Sequence, residues 1–179
     1  MNFLQWGGLD WQGRGGQTCA MDFALRPFSA DDSVWLVDQH AAHYRQVEGL
    51  DDSFGPLVAD IIQSFLSQHD PRYEAGWVAC QGPARLGSIF CVCKDERTAK
   101  LRLFYVVKAA RGTGVAQALL DQCLGFARGA GYKGLTLWTH ESHVAAGRIY
   151  HRNGFIRTCA KLVHSFGVDL VEETWEIAF

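Results

Sequence analysis

Residues 111–116, Arg-Gly-Thr-Gly-Val-Ala, carry the densest chemistry in the chain. They follow the strand-like run Phe104 to Val107 and lead into a helical pattern from about Gly114 to Gly129. Glycines at 112 and 114 let backbone N–H groups approach a ligand with no side chain between. Those amides are the unpaired first donors of the helix, and its dipole adds partial positive charge at the same point. Arg111 adds a formal charge and a fork of donors. The combination is a cradle for phosphate oxygens. It is not a Walker loop, since no Gly-Lys-Ser/Thr ends it, and not a dinucleotide fingerprint, since Gly-x-Gly-x-x-Gly is absent. A glycine-rich strand-to-helix connection without a ligand is the plain alternative.

The elements on either side must hold this turn. Phe23-Ala-Leu-Arg26 reads as a short strand stopped by Pro27. Ser29 followed by Ala-Asp-Asp gives a helix N-cap with acids in the first turn, and apolar residues continue at helical spacing to about Gly49. From Ser53 to Ser67 the apolar residues repeat with the period of an amphipathic helix, closed by Asp70-Pro71. Trp77–Cys80, Leu86–Cys93 and Ala99–Val107 read as an antiparallel meander. The glycine turn and its helix follow. Then come a strand at Leu135–Thr139, a helix at Ser142–Arg152, and strands at Phe155–Lys161 and Glu173–Ala178 joined by an intervening segment. This order predicts an α/β (α+β) fold, a mixed, mostly antiparallel sheet of about six to seven strands flanked by about four helices.

The 179 residues suit one domain, and 48% apolar content suffices for a core without a disulfide framework. A formal net charge of −2 argues against a surface-wide nucleic-acid interface but leaves room for a local basic site. No apolar run reaches the roughly 18 residues of a membrane span. The six cysteines show no zinc-knuckle or thioredoxin spacing. No metal is therefore expected, and the thiols read as small buried hydrophobes in a reducing cytosol. Residues 1–20 are glycine-rich, unpatterned and lack the features of a signal peptide. They are expected to be a loosely ordered extension, or an upstream start, ahead of a single domain at residues 21–179.

Arg111-x-x-Gly114-x-Ala116 resembles the Arg/Gln-x-x-Gly-x-Gly/Ala signature of the GNAT acetyltransferases, together with the strand before it and the long helix after it. The run from His143 through Tyr150 to Gly154-Phe155 resembles that family's Asn-x-x-Ala-x-x-x-Tyr-x-x-x-Gly-Phe segment. Ala146, Tyr150, Gly154 and Phe155 match, and His143 stands in place of the asparagine. The stretch from Phe23 to Phe179 is also similar to the branch found fused to MarR-type regulators, through Ala99–Arg102, Leu135–Thr139, His164–Leu170 and Thr174–Glu176. No winged-helix pattern precedes Met21, so no regulator is expected in these residues.

The resemblance implies acetyl-CoA as co-substrate. Its pyrophosphate would be held by the amides of Gly112, Thr113, Gly114, Val115 and Ala116 with Arg111. Its pantetheine arm would pair with Tyr105, Val106 and Val107, and its thioester would lie between the splayed strands Leu101–Val107 and Leu135–Thr139. The resemblance also implies Tyr150 as general acid for the leaving thiolate, a cofactor contact at His143 and an amine acceptor that is a small molecule or peptide. A cytoplasmic location and a homodimer follow family habit.

An attacking amine must first lose a proton, since a free lysine amine has a pKa of about 10.4. Many members of that family carry a glutamate on the strand before the glycine turn; here the strand holds Lys100 and Arg102. The candidates for the base are Glu48, His140, Glu141 and His143, or a water relay. The candidate acceptor contacts are Tyr44, Glu48, His140, Glu141 and His164. For Lys100 and Arg102, pairing with acids of the first helices is the favoured expectation, and a basic pocket for an acidic substrate the alternative. Two functional readings stay open: acetyl transfer to a primary amine, and an acyl-CoA-binding sensor or partner module with weak catalysis.

Overall fold

The computed structural model describes residues 22–179, so the extension expected at residues 1–20 lies outside the described residues. One sheet holds seven strands in the order β1 (Ala24–Pro27), β2 (Ala75–Gln81), β3 (Ala84–Cys93), β4 (Thr98–Val106), β5 (Gly134–His140), β7 (Val168–Ala178) and β6 (Ile156–Ser165). All neighbours are antiparallel except β4 and β5, so the mixed sheet expected from a meander and a β-α-β unit is present. Among the described residues no helix is long and apolar enough to cross a membrane.

Four helices cover the sheet: α1 (Ser33–Glu48), α2 (Phe54–Gln68), α3 (Val115–Gly129) and α4 (Val144–Arg152). The apolar stripe of α2, Phe54, Val58, Ile62 and Phe65, packs with Leu36 of α1 on Phe90 of β3. On the opposite face Leu119, Leu120 and Cys123 of α3 pack with Ile149 of α4 on Ile89, Leu101 and Leu137. Ser29 caps a short 3-10 turn, Ala30–Asp32, that precedes α1, and Gly49 at φ 73° stops α1.

The opening for a site lies between β4 and β5. They pair only at Thr98, Ala99 and Lys100, opposite Gly134, Leu135 and Thr136, and then part. Against β3, the register of β4 slips between Ser88 and Phe90, where Leu103 takes φ 48°. Ser88 Oγ donates to the Leu103 carbonyl at 2.7 Å and satisfies the group the bulge leaves free. The bulge redirects the strand: Ala99 and Leu101 join the α3 core, Leu103 the α2 core, and Phe104 the α3 core again. Gly87 permits the close approach, because a Cβ there would lie 2.5 Å from the Tyr105 carbonyl oxygen.

Three expectations change. The last two strands are longer than expected, and the segment between them shrinks to a Phe166-Gly167 turn at φ 53° and 78°, whose twist suits a hairpin. Lys100 and Arg102 form no ion pair with the acids of the first helices among the described residues. The acids at the two ends of α1 are taken: Asp32 by Arg26 and Arg85, and Glu48 by His140. Of the thiols read as buried, Cys91 and Cys123 are, whereas Cys93 at the end of β3 and Cys159 on the edge strand β6 are exposed.

Candidate functional site

A cavity of about 610 Å³ lies at the parting of β4 and β5. Its wall comprises Phe104, Tyr105 and Val106 of β4, the turn residues Arg111, Gly112, Gly114 and Ala116, and Gln117 of α3. His43, Tyr44 and Val47 of α1, Ser142, and His143 with the first turns of α4 complete it.

Gly112 and Gly114 sit at φ 79° and 95°, a backbone that L side chains rarely adopt. The first bond of α3 runs from the Ala118 N–H to the Gly114 carbonyl. No N–H from Gly112 to Ala116 is donated to another backbone group of the described residues. These donors therefore stand free at the positive end of a 15-residue helix. Arg111 Nε donates to the Val106 carbonyl at 3.1 Å, so part of the guanidinium clamps the turn to the strand end and the rest is left for an anion. Thr113 Oγ1 donates to the Ala110 carbonyl at 2.7 Å, and the Val115 side chain is fully buried. Neither residue is part of the cavity wall. Val107 lies beyond β4 and outside the cavity wall, and its N–H is already donated to Leu86 O at 2.9 Å. It cannot pair with a ligand through that group.

Opposite the turn, Glu48 gathers three partners. His140 Nδ1 lies 2.7 Å from its Oε2, the Ser142 hydroxyl donates to Oε1, and His143 Nε2 lies 3.2 Å from Oε1. The Glu48 and His140 side chains are 1% exposed and that of His143 14%, so His143 is the member that reaches the cavity. Burial opposes the Glu48 charge, but the hydrogen bonds from His140 and Ser142 and the closeness of His143 outweigh it and hold the carboxyl well below its usual range. Glu48 is therefore ionised at neutral pH. The same three side chains bring ligand atoms within 4.8 Å of one another, close enough to hold a metal ion. The carboxylate accepts hydrogen bonds from His140 and Ser142, whereas Nε2 of His140 and of His143 are buried with no hydrogen-bond partner among the described residues. Tyr44 packs its ring 4.9 Å from that of His143. Behind them the His40 imidazole, pushed down to about 4 by burial, stays neutral.

Tyr150 is 4% exposed and packs among Phe104, Phe155 and Trp175 at centroid distances of 6.2, 5.6 and 6.1 Å. It does not itself line the cavity; its neighbours Phe104 and Ile149 do. Burial, and then the proximity of Tyr44, push the phenol up, so it keeps its proton.

Of the candidate acceptor contacts only Tyr44 lines the cavity; Glu48 and His140 stand behind His143, and Glu141 and His164 lie away from it. Glu141 is exposed just past β5, where its N–H is donated to Val171 O at 2.9 Å. His164 lies on β6, paired with Asp169 across the hairpin at 2.8 Å and largely in solvent. The tight turn instead presents Phe166 to the α1–α2 connection: Asp51 donates to its carbonyl at 3.0 Å, and its ring meets Phe54 at 5.1 Å. Sequence reasoning missed His43, Phe104, Gln117 and Ser142. His43 had a signal, since it neighbours Tyr44 on one helix. Gln117 had none: it exchanges amide hydrogen bonds of 2.7 and 3.1 Å with Asn153, tying α3 to α4 across 36 positions.

Residues 72–157 match the family model of the acetyltransferase (GNAT) domain. N-acetyltransferase 8B of Rattus norvegicus is 33% identical over 106 residues, which cover 56% of this chain and 46% of that protein. The chain thus spans about half the length of the curated relatives it matches. The fold is similar to that of the Salmonella typhimurium acetyltransferase yncA, solved with its cofactor acetyl-CoA, at 16% identity and a TM-score of 0.69 over 88% of this chain and 94% of that one. It is similar as well to Arabidopsis thaliana NAA60, solved with a bisubstrate analogue, at 15% identity and a TM-score of 0.67 over 88% and 98% of the two chains. The matched segment runs through both the glycine turn and the Tyr150 helix, and the sheet that carries them is similar in fold to those of the two acetyltransferases.

Proposed function

We propose that the chain is an acetyl-CoA-dependent N-acetyltransferase, moving an acetyl group directly to a primary amine of a small molecule or peptide. The observation that carries this reading is the row of free amides at Gly112–Ala116 beside a cavity of about 610 Å³. A diphosphate would take those N–H groups and the remaining donors of Arg111. A pantetheine arm would run along Tyr105 and Val106, where β4 has no β5 partner. The thioester would then lie in the gap between the strands. Relatives named N-acetyltransferases and a similar fold holding acetyl-CoA support the same donor.

The amine nitrogen attacks the thioester carbonyl carbon; the C–N bond forms and the C–S bond breaks. The proton lost by the amine passes, directly or through water, to the His143 imidazole, which ionised Glu48 orients and stabilises when charged. The coenzyme A thiolate takes the phenolic proton of Tyr150, and solvent restores it. Kinship with the MarR-fused branch, a cytoplasmic location and a homodimer belong to this proposal too.

Thiol release from acetyl-CoA against a panel of small-molecule and peptide amines, with mass spectrometry of the products, tests it. The expected result is one acylated amine per free thiol. The setting of Tyr150 behind the cavity wall favours a second reading, a binding module. Tight acetyl-CoA binding with no thiol release on any amine would establish that reading. Absence of any acyl-CoA binding would end both.

A further inference from the structure

A groove of about 420 Å³ lies between α2 and the paired strands β3 and β4, and it shares no lining residue with the cofactor cavity. Alternation along β4 sends Ala99 and Leu101 into the α3 core and turns Lys100 and Arg102 to the other face, into this groove. Two cations at successive same-face positions of one strand repel each other and call for a counter-charge. Neither forms an ion pair among the described residues. Arg102 Nε is buried with no hydrogen-bond partner, an uncompensated loss for a guanidinium donor.

The other polar groups of the groove do not supply what is missing. Glu74 accepts from the N–H groups of Asp70 and Cys93 at 3.2 and 2.9 Å. The His69 Nδ1 faces the Phe65 carbonyl at 2.8 Å. Asp60 sits exposed on α2. Burial, then the charges of Arg102 and Lys94, lower the Lys100 ammonium, and burial lowers Arg102. The floor between the two cations and α2 is apolar, made by Phe65 and Val92.

We infer that this groove is a second ligand site, for a small organic anion whose phosphate or carboxylate bridges Lys100 and Arg102 while its apolar part covers Phe65 and Val92. The oxyanion supplies the acceptor Arg102 Nε lacks and offsets the repulsion between the two cations. The site does not depend on the acetyl-transfer reading.

Thermal unfolding of the whole chain in phenyl phosphate, in inorganic phosphate and in chloride at matched ionic strength tests the inference. Phenyl phosphate should raise the midpoint saturably, by about 2 °C or more, and inorganic phosphate by less. The rise should vanish in Arg102→Gln and in Lys100→Gln and persist in Arg111→Gln. Should Arg102→Gln fail to fold, Lys100→Gln carries the comparison. No saturable rise, or one that survives both groove substitutions, overturns the site. A rise lost only in Arg111→Gln places the anion at the glycine turn and overturns it as well. Acetyl-CoA affinity should be unchanged in Lys100→Gln, which keeps the fate of this site separate from that of the cofactor cavity.

Discussion

His140 Nδ1 lies 2.7 Å from Glu48 Oε2, a hydrogen bond between residues 92 positions apart. It joins the end of β5 to the end of α1 and sets the wall on which His143 meets the cavity. Glu48→Gln removes the charge that orients both imidazoles. The expected result is a fall in kcat of about a hundredfold with the KM for acetyl-CoA little changed. The folded carboxyl lies below its ordinary value of 4.5, so the stability it contributes is full above that value and is lost as pH falls toward the folded one. The advantage of the parent over Glu48→Gln in urea unfolding should be constant near neutrality and shrink on acidification below that value. Parallel pH curves for the two proteins would remove this role.

The glycine turn tests the donor site. A Cβ at Gly114 would meet nothing within 4 Å, so a substitution there does not collide with the protein. It does force an L residue to φ 95°, at a cost of about 1 kcal/mol or more. Gly114→Ala isolates that cost, and Gly114→Asp adds a negative charge beside the free amides. Calorimetry should find acetyl-CoA binding to Gly114→Asp weaker than to Gly114→Ala by about tenfold or more. Equal losses in the two variants would mean that the phosphates bind elsewhere.

How much of this was legible in the sequence follows from how local each signal is. The turn at Arg111–Ala116 and the stripe on α2 are written in residues a few positions apart, and both appear where expected. The splay of β4 from β5 came through the family resemblance, but the Leu103 bulge that reorients the strand has no glycine to announce it. The Glu48 cluster joins three elements, and no spacing rule connects position 48 to positions 140 and 143. His164 faces solvent on β6, beside a tight turn in which Phe166 takes a positive φ that its residue type does not suggest.

Tyr150→Phe keeps the ring among Phe104, Phe155 and Trp175, so stability should change by less than about 1 kcal/mol. If the phenol protonates the departing thiolate, kcat should fall by about a hundredfold while the KM for acetyl-CoA holds. Stopped-flow thiol detection with saturating amine reads this directly. An unchanged kcat would transfer the proton delivery to water.

Asp32 offers a test of the frame that holds the α1 wall of the cavity. Its carboxylate is fully buried and accepts from Arg26 at 2.7 Å through both oxygens and from Arg85 at 2.6 Å, joining β1, the turn before α1, and β3. Burial opposes its charge, yet the bonds from Arg26, Arg85 and the Ser29 N–H prevail and hold the carboxyl well below its ordinary value of 3.8. Asp32→Asn leaves two guanidinium groups without their counter-charge. Full burial of both would make that loss severe, but the arginine side chains are 40% and 30% exposed, so water recovers part of it. The expected destabilisation is about 2–3 kcal/mol at neutral pH. Because the folded value is depressed, the contribution of Asp32 is complete above its ordinary value and fades as pH drops below it. Urea midpoints for the two proteins should therefore lie far apart at neutral pH and converge in strong acid; a gap that stays constant over that range would show the carboxylate charge to be irrelevant to the fold.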